Sequence, residues 1–185
     1  MSDPKNFLVV DAYALLYRAN FAFINRPLIT KDGKNTSAVY GFMRQFMEAL
    51  KAYRPGYVAV AFDLKGPTYR HELYPEYKAQ RPPAPEAIIY GAGKLKELLG
   101  LLGITVVSAK GFEADDVVGT LALQFASEKS PMIMLSPDKD YQQLLGTHCI
   151  MAKPDRRGSG LVEVHEKDLL EKYGIAFPEQ FIDML

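Results

Sequence analysis

Short apolar runs that alternate with longer helical patterns constrain this fold more than any other feature of the sequence. Apolar residues recur at helical spacing over 37–53, 94–102 and 113–126. Strands that are apolar on both faces and alternate with helices are typical of a parallel sheet covered by helices. We therefore predict an α/β fold, with a mostly parallel central sheet and helices on both faces. The predicted strands are residues 7–10, 57–62, 104–107, 132–135 and 148–151.

Three of the predicted strands are followed directly or closely by an aspartate. In an open parallel sheet, ligands bind beyond the carboxyl ends of the strands, so these side chains are expected to lie close together. The helical pattern that starts near residue 113 opens with three more acids, and residues three apart share one helix face. The acids expected to converge are Asp11, Asp63, Glu113, Asp115, Asp116, Asp138 and Asp140.

Such a cluster repels itself unless positive charge is supplied. Oxygen ligands alone suit magnesium or manganese, whereas zinc favours nitrogen and sulfur ligands. We therefore expect Mg²⁺ or Mn²⁺ as cofactor, as two ions. Two such ions, roughly 4 Å apart, can activate a water and stabilise the leaving oxygen of a phosphodiester.

The same acids also have a purely structural interpretation. Acidic residues in the first turn of a helix are favoured by the helix dipole. An aspartate after a strand is often a helix cap or a turn former. The coincidence of three strand-terminal acids with an acidic helix start favours the metal site.

The formal net charge is zero, but the charges are unevenly distributed. Residues 65–96 carry a surplus of three positive charges, and residues 111–140 carry a surplus of four negative charges. A basic block beside an acidic block suits an enzyme that binds a polyanion through metal ions, and it is equally compatible with ordinary surface variation.

With these residues identified, the chain resembles the 5′ nuclease (5′-3′ exonuclease and flap endonuclease) domain of bacterial DNA polymerase I. The resemblance covers nearly the whole chain, with its motifs in the family's order and spacing. The most specific motifs are Gly111-Phe-Glu-Ala-Asp-Asp116, Asp138-Lys-Asp140, and Tyr74-Pro-Glu-Tyr-Lys-Ala79 followed by Arg81-Pro82-Pro83.

The resemblance implies a PIN-like 5′ nuclease fold and metal-dependent hydrolysis of phosphodiesters at 5′ ends or flaps of branched or nicked DNA, in replication and repair. It implies that the seven acids bind the metal ions and that Lys78, Arg81 and Asp116 are catalytic. Arg70, Tyr77, Lys78 and Arg81 match the DNA-binding gateway for the 5′ strand. Tyr77 is expected to stack on a base. If their segment is helical, Lys78 and Arg81 can contact one phosphate.

The resemblance also implies one catalytic domain over residues 1–185, with a flexible helical arch over about 64–94. Residues 88–93 are apolar and contain two glycines, each of which disfavours helix by roughly 1 kcal/mol, so we expect them to be less helical or more flexible than is usual in the family. The family continues into a helix–hairpin–helix region, which is expected to be absent from this chain. Duplex binding is then expected to be weak, because phosphate contacts dominate affinity.

The expected partner is DNA, bound by a monomer, and one interpretation of the carboxyl end is a longer parent chain that carries a polymerase domain. The sequence lacks the basic-then-apolar layout of a signal peptide and any apolar run long enough to cross a bilayer. We therefore expect a cytoplasmic protein with no membrane partner, and the resemblance implies a bacterial-type protein associated with the nucleoid.

Two other functions remain open from the sequence. A PIN-type ribonuclease would share the acidic cluster but would not need the Tyr-Pro-Glu-Tyr-Lys-Ala motif, and its preference for RNA would distinguish it. A catalytically weakened DNA-binding remnant would bind DNA without metal-dependent cleavage.

Overall fold

A computed structural model describes residues 5–155 and 160–185. Residues 1–4, part of the stretch in which no signal peptide was recognised, lie outside this range. The six strands form one sheet in the order β3-β2-β1-β4-β5-β6. Strands β1 to β5 are parallel and β6 is antiparallel to β5, which confirms the predicted mostly parallel sheet. The strands are β1 (Phe7–Asp11), β2 (Tyr57–Ala61), β3 (Thr105–Val107), β4 (Met132–Leu135), β5 (Cys149–Pro154) and β6 (Leu161–Val164).

Helices cover both faces of the sheet, as predicted. On one face α1, α2 and α4 enclose one core cluster, and on the other face α5 and α6 enclose a second. No helix in the described residues is long and apolar enough to cross a bilayer. The helices are α1 (Ala12–Ala22), α2 (Ser37–Tyr53), α3 (Tyr69–Leu73), α4 (Glu86–Leu101), α5 (Ala114–Phe125) and α6 (Glu166–Tyr173), with 3₁₀ helices at Lys139–Leu144 and Pro178–Met184.

Strand β1 shows why its sequence is apolar without alternation. Leu8 and Val10 belong to the core shared with α1, α2 and α4, whereas Val9 between them belongs to the core beneath α5. Full burial of one such side chain contributes about 1.5–3 kcal/mol. Burial on both faces fixes β1 in the centre of the sheet and carries Asp11 to its carboxyl edge.

Helix α4 corrects one expectation, because residues 88–93 are helical throughout. Ile88 and Leu95 are fully buried on the inner face of α4. A Cβ atom on Gly91 would lie 3.2 Å from the Cβ of Ala38, so glycine permits α4 to approach α2 closely. Packing of the buried face therefore outweighs the low helix propensity of the glycines. The expectation of a less helical stretch was wrong, whereas that of a more flexible stretch stays a prediction. Within the arch, only the part before α4 lacks a long helix.

The crossing of α1 and α2 depends on a second small residue, Gly41. A Cβ atom at this position would lie 2.5 Å from the Cβ of Ala19. We expect Gly41→Ala to lower the free energy of unfolding by about 1–3 kcal/mol, as overpacking of a core does. Urea denaturation measures this.

Gly100→Ala is the matched control, since an added Cβ at Gly100 meets nothing within 4 Å. We expect this control to be neutral or stabilising by up to about 1 kcal/mol. Equal midpoints for the two variants would contradict a close α1–α2 contact.

Candidate active site

A cavity of about 840 Å³ opens at the carboxyl edge of the sheet. The strand register explains why acids meet there, because Asp11 pairs with Ala61 next to the end of β2, and Val10 pairs with Leu135 at the end of β4. The predicted convergence is therefore observed for six of the seven acids. Those in the cavity wall are Asp11, Asp63, Glu113, Asp115, Asp138 and Asp140.

Asp11 ends β1 and caps α1 at the same time. Its Oδ1 accepts a hydrogen bond from the backbone N–H of Ala14 at 3.0 Å. Its Oδ2 lies 3.1 Å from the hydroxyl of Tyr141. The residue is only 6% exposed. The Ser136 hydroxyl donates to the same Oδ2 at 3.4 Å. Burial and these three contacts thus fix the orientation of this carboxylate.

The other strand-terminal acids are also held by local hydrogen bonds. Asp63 Oδ1 accepts from the backbone N–H of Ala114 at 2.6 Å, which joins the end of β2 to the start of α5. Asp138 Oδ1 accepts from the backbone N–H of Asp140 at 3.1 Å and so caps the 3₁₀ helix that follows. Capping and clustering therefore coexist here, and the structural interpretation of these acids is true without excluding a functional one.

Asp116 faces a smaller neighbouring cavity of about 460 Å³. Its two oxygens accept hydrogen bonds from the Arg70 guanidinium at 2.7 and 2.8 Å. The same guanidinium lies 3.5 Å from Glu113, so Glu113 and Asp116 share one side of the helix start. Arg70 holds the pKa of the Asp116 carboxyl below its usual range. Asp116 is thus already paired with a cation from this chain.

A second cation from the same segment approaches Glu113. Lys78 Nζ lies 2.7 Å from Glu113 Oε1, and the Tyr77 hydroxyl donates to Glu113 Oε2 at 3.1 Å. Cations predicted to be available for DNA therefore neutralise part of the acidic cluster here, which the sequence did not indicate. Arg81 lines the large cavity.

Lys78 and Arg81 were expected to contact one phosphate if their segment were helical. The segment is not helical, so this condition is not met. Residues 75–80 form successive turns, and Lys78 has a left-handed backbone with φ +56°. One turn hydrogen bond of 3.0 Å joins the N–H of Arg81 to the carbonyl of Lys78. Both side chains nevertheless line the same cavity.

Three of the acids disfavour their ionised forms. Burial, followed by the charges of Asp115 and Asp63, raises the pKa of Asp11 to about 7. Burial and the charges of Asp138 and Asp63 raise the pKa of Asp115. Burial and the charge of Asp138 likewise raise the pKa of Asp140. Lys78 lowers the pKa values of Asp115 and Asp140, but it offsets burial and repulsion only partly.

The described residues contain no group of three or more His, Cys, Asp and Glu side chains that is arranged to hold a metal ion. The oxygen donors and their raised pKa values nevertheless match the chemistry of a hard divalent cation, which would favour the ionised carboxylates. The residues therefore fit such an ion chemically, and side-chain rotations would be needed to arrange their oxygens around it.

The raised pKa of Asp11 has a consequence for stability. The folded protein holds a proton on Asp11 that the unfolded chain loses near pH 4, so without divalent ions stability is expected to fall as pH rises from about 4 to 7. The loss from Asp11 is at most about 4 kcal/mol. Urea denaturation in EDTA across this range, for wild type and Asp11→Asn, measures it. Parallel curves for the two proteins would contradict a strained Asp11 carboxylate.

Three residues of the site were missed in the sequence. Tyr141, whose hydroxyl lies between two of the acids, is 2% exposed. Lys65 and Lys96 line the same cavity as the acids. Both lysines fall within the basic block of residues 65–96, and Tyr141 directly follows Asp140, so position along the chain was the available signal.

Comparisons with known proteins place the chain among nucleases. The family model for the 5′-3′ exonuclease, N-terminal resolvase-like domain, matches residues 6–174. DNA polymerase I of Treponema pallidum (strain Nichols) is 43% identical over 145 residues, which are 78% of this chain and 14% of that protein. The 5′-3′ exonuclease of Aquifex aeolicus (strain VF5) is 35% identical over 182 residues, which are 98% of this chain and 60% of that protein. The chain thus spans only part of the length of these relatives.

Solved structures with low sequence identity share the fold. The T5 D15 protein co-crystallised with metal ions has a TM-score of 0.71 at 23% identity, over 96% of this chain and 64% of that chain. Flap endonuclease-1 from Methanococcus jannaschii has a TM-score of 0.61 at 15% identity, over 98% of this chain and 63% of that chain. Both comparisons support the predicted sheet architecture.

Proposed function

The chain belongs to the 5′-3′ exonuclease family, as its motifs predicted, and on that premise we propose that it is a divalent-metal-dependent 5′ nuclease acting on DNA. The observation that carries this proposal is one cavity lined by six carboxylates and by four basic side chains, those of Lys65, Lys78, Arg81 and Lys96. The acids can hold cations, and the lysine and arginine side chains of the same cavity can hold the phosphates of a strand.

The metal ions would be held by Asp11, Asp63, Glu113, Asp115, Asp138 and Asp140. We propose two ions, Mg²⁺ or Mn²⁺, because all the donors are oxygens. Such ions supply a nucleophilic water at neutral pH and stabilise charge on the leaving oxygen. Asp116 remains a predicted ligand and catalytic residue, and its present contact with Arg70 makes it the acid that must rearrange most.

The DNA strand would enter along the segment of residues 64–85. Lys78 and Arg81, which remain predicted catalytic residues, would orient the scissile phosphate. Lys65 and Lys96 add two more positive charges to the lining of the same cavity. Tyr77 lines the same cavity and offers an aromatic face to a base. Arg70 would contact DNA only after leaving Asp116. Helix α4 gives this entrance a rigid side, because its inner face is packed in the core.

We propose that residues 1–185 make up one catalytic domain that acts as a monomer in the cytoplasm. One chain supplies both the acidic and the basic side chains that line the cavity, so a second subunit is not needed to complete the site. Structures of the T5 flap endonuclease are described as complexes with DNA and metal ions, which supports 5′-flapped or nicked DNA as the substrate class.

The test is cleavage of labelled DNA that carries a 5′ flap, a nick or no branch, with Mg²⁺, with Mn²⁺ and with EDTA. We expect cleavage near the 5′ end that requires a divalent ion. Preferred cleavage of single-stranded RNA would instead favour a PIN-type ribonuclease. DNA binding with no cleavage under any metal would favour a non-catalytic remnant.

A further inference from the structure

Tyr141 contacts two carboxylates of the proposed site with one hydroxyl. Its Oη lies 3.1 Å from Asp11 Oδ2 and 2.9 Å from Asp115 Oδ1. Asp11 ends β1, whereas Asp115 lies in the first turn of α5. A single hydroxyl therefore joins acids that come from distant parts of the chain.

The position of this hydroxyl is fixed by packing of the tyrosine ring. Tyr141 lies in the 3₁₀ helix Lys139–Leu144, which Asp138 caps. The ring belongs to the core cluster that includes Val118 of α5 and Met134 of β4. Because the ring is locked between helix and sheet, the hydroxyl reaches the acids without a further loss of side-chain freedom.

The hydroxyl contacts the acids from the protein side of the cavity. Asp11 and Asp115 line the large cavity, whereas Tyr141 does not: it is 2% exposed and borders the smaller neighbouring cavity. On Asp11 the second oxygen accepts from the N–H of Ala14, so both oxygens of that carboxylate are oriented by the protein. A partner behind a ligand is the arrangement by which proteins orient metal-binding side chains.

We propose that Tyr141 is a positioning residue, which sets the orientation of Asp11 and Asp115 toward the divalent cations of the site. The inference rests on the proposed nuclease function, and it names a determinant of metal affinity in the residue after Asp140. Loss of such an outer partner typically weakens metal binding by 10–100-fold.

A purely structural tyrosine would behave differently. A hydroxyl that only satisfies buried acceptors would change the stability of the protein and leave its affinity for cations unaltered. The readout must therefore be the cation affinity itself, measured without DNA and independently of cleavage.

The experiment compares Tyr141→Phe with Tyr53→Phe by calorimetric titration with Mn²⁺. Tyr53 is the matched control, since it is half-buried, the charge of the Glu163 carboxylate also raises the pKa of its hydroxyl, and neither residue lines the cavity. We expect a 10–100-fold weaker Kd for Mn²⁺ in Tyr141→Phe and a wild-type Kd in Tyr53→Phe. In flap cleavage, we expect the Mg²⁺ concentration for half-maximal rate to rise similarly, with the KM for DNA unchanged at saturating Mg²⁺.

Equal Mn²⁺ affinity in wild type and Tyr141→Phe would overturn the inference while leaving the nuclease proposal intact. A wild-type protein that neither binds Mn²⁺ nor cleaves DNA would overturn the nuclease proposal. Should Tyr141→Phe not fold, wild-type protein with ¹³Cζ-labelled tyrosine provides the test. We expect Mg²⁺ to shift the NMR signal of a buried tyrosine. A Mg²⁺ titration that shifts only the signal of Tyr77, which the Tyr77→Phe variant identifies, would overturn the inference.

Discussion

Asparagine in place of Asp115 is expected to slow DNA cleavage by on the order of 10³-fold at saturating DNA. The substitution keeps the shape of the side chain and an oxygen that faces the Tyr141 hydroxyl, but it removes one negative charge from the cation site. Cations in such sites supply several kcal/mol of transition-state stabilisation, and about 4 kcal/mol corresponds to this loss of rate. Single-turnover cleavage of a 5′-flapped duplex in Mg²⁺ measures it.

The same substitution is expected to raise stability in EDTA. Because burial and neighbouring acids raise the pKa of Asp115, its ionised form destabilises the metal-free protein, and asparagine removes that repulsion. The control is Glu128→Gln, an exposed acid at the opposite end of the sheet. We expect the control to leave both quantities unchanged. An active and less stable Asp115→Asn would contradict the placement of cations at this acid.

Methionine in place of Lys78 is expected to lower kcat by about 10²-fold, the typical effect of removing one donor aimed at developing charge. Lys78 lies in the cavity wall, and in the metal-free protein its ammonium is bound to Glu113. Methionine keeps most of the side-chain volume and removes only the charge. Steady-state cleavage at several DNA concentrations separates kcat from KM.

Lys94→Met provides the matched control for this substitution. Lys94 also forms a 2.7 Å ion pair with a glutamate, Glu97, but the pair is exposed on the surface of α4. Exposed pairs contribute little to stability, so we expect wild-type kinetics and nearly wild-type unfolding for this variant. If both lysine variants cleave DNA equally well, Lys78 does not orient the scissile phosphate.

The parts of the fold that follow from periodicity could be predicted from the sequence. Helix α2 has the bounds that its apolar spacing predicts, since it is long enough to show its period. Strand β4 has the bounds of its continuous apolar run, which ends at clear breakers. The clustering of acids was predictable for a similar reason. Strand ends are recognisable in the sequence, and parallel topology brings their carboxyl ends to one edge.

Contacts made by aperiodic segments could not be predicted. The pairing of Arg70 with Asp116 joins residues 46 positions apart, and it depends on the path of a Pro- and Tyr-rich segment whose sequence carries no helical or strand period. The edge strand β6 was missed because its residues, Leu-Val-Glu-Val, include a charge and are only partly buried, so they lack the continuous apolar run that marks β4. The role of Tyr141 depends on where a buried ring points, which spacing along the chain does not encode.

The hydrogen bond between Asp11 and α1 links the candidate metal site to the crossing of α1 and α2. Because the carboxylate is bonded to the first turn of α1, any tilt of that helix moves a predicted cation ligand with it. The tilt of α1 is set where Ala19 meets Gly41, on the side of the helix away from the cavity. We therefore expect crowding at that crossing to lower the affinity for cations, although no group at the reaction centre has changed.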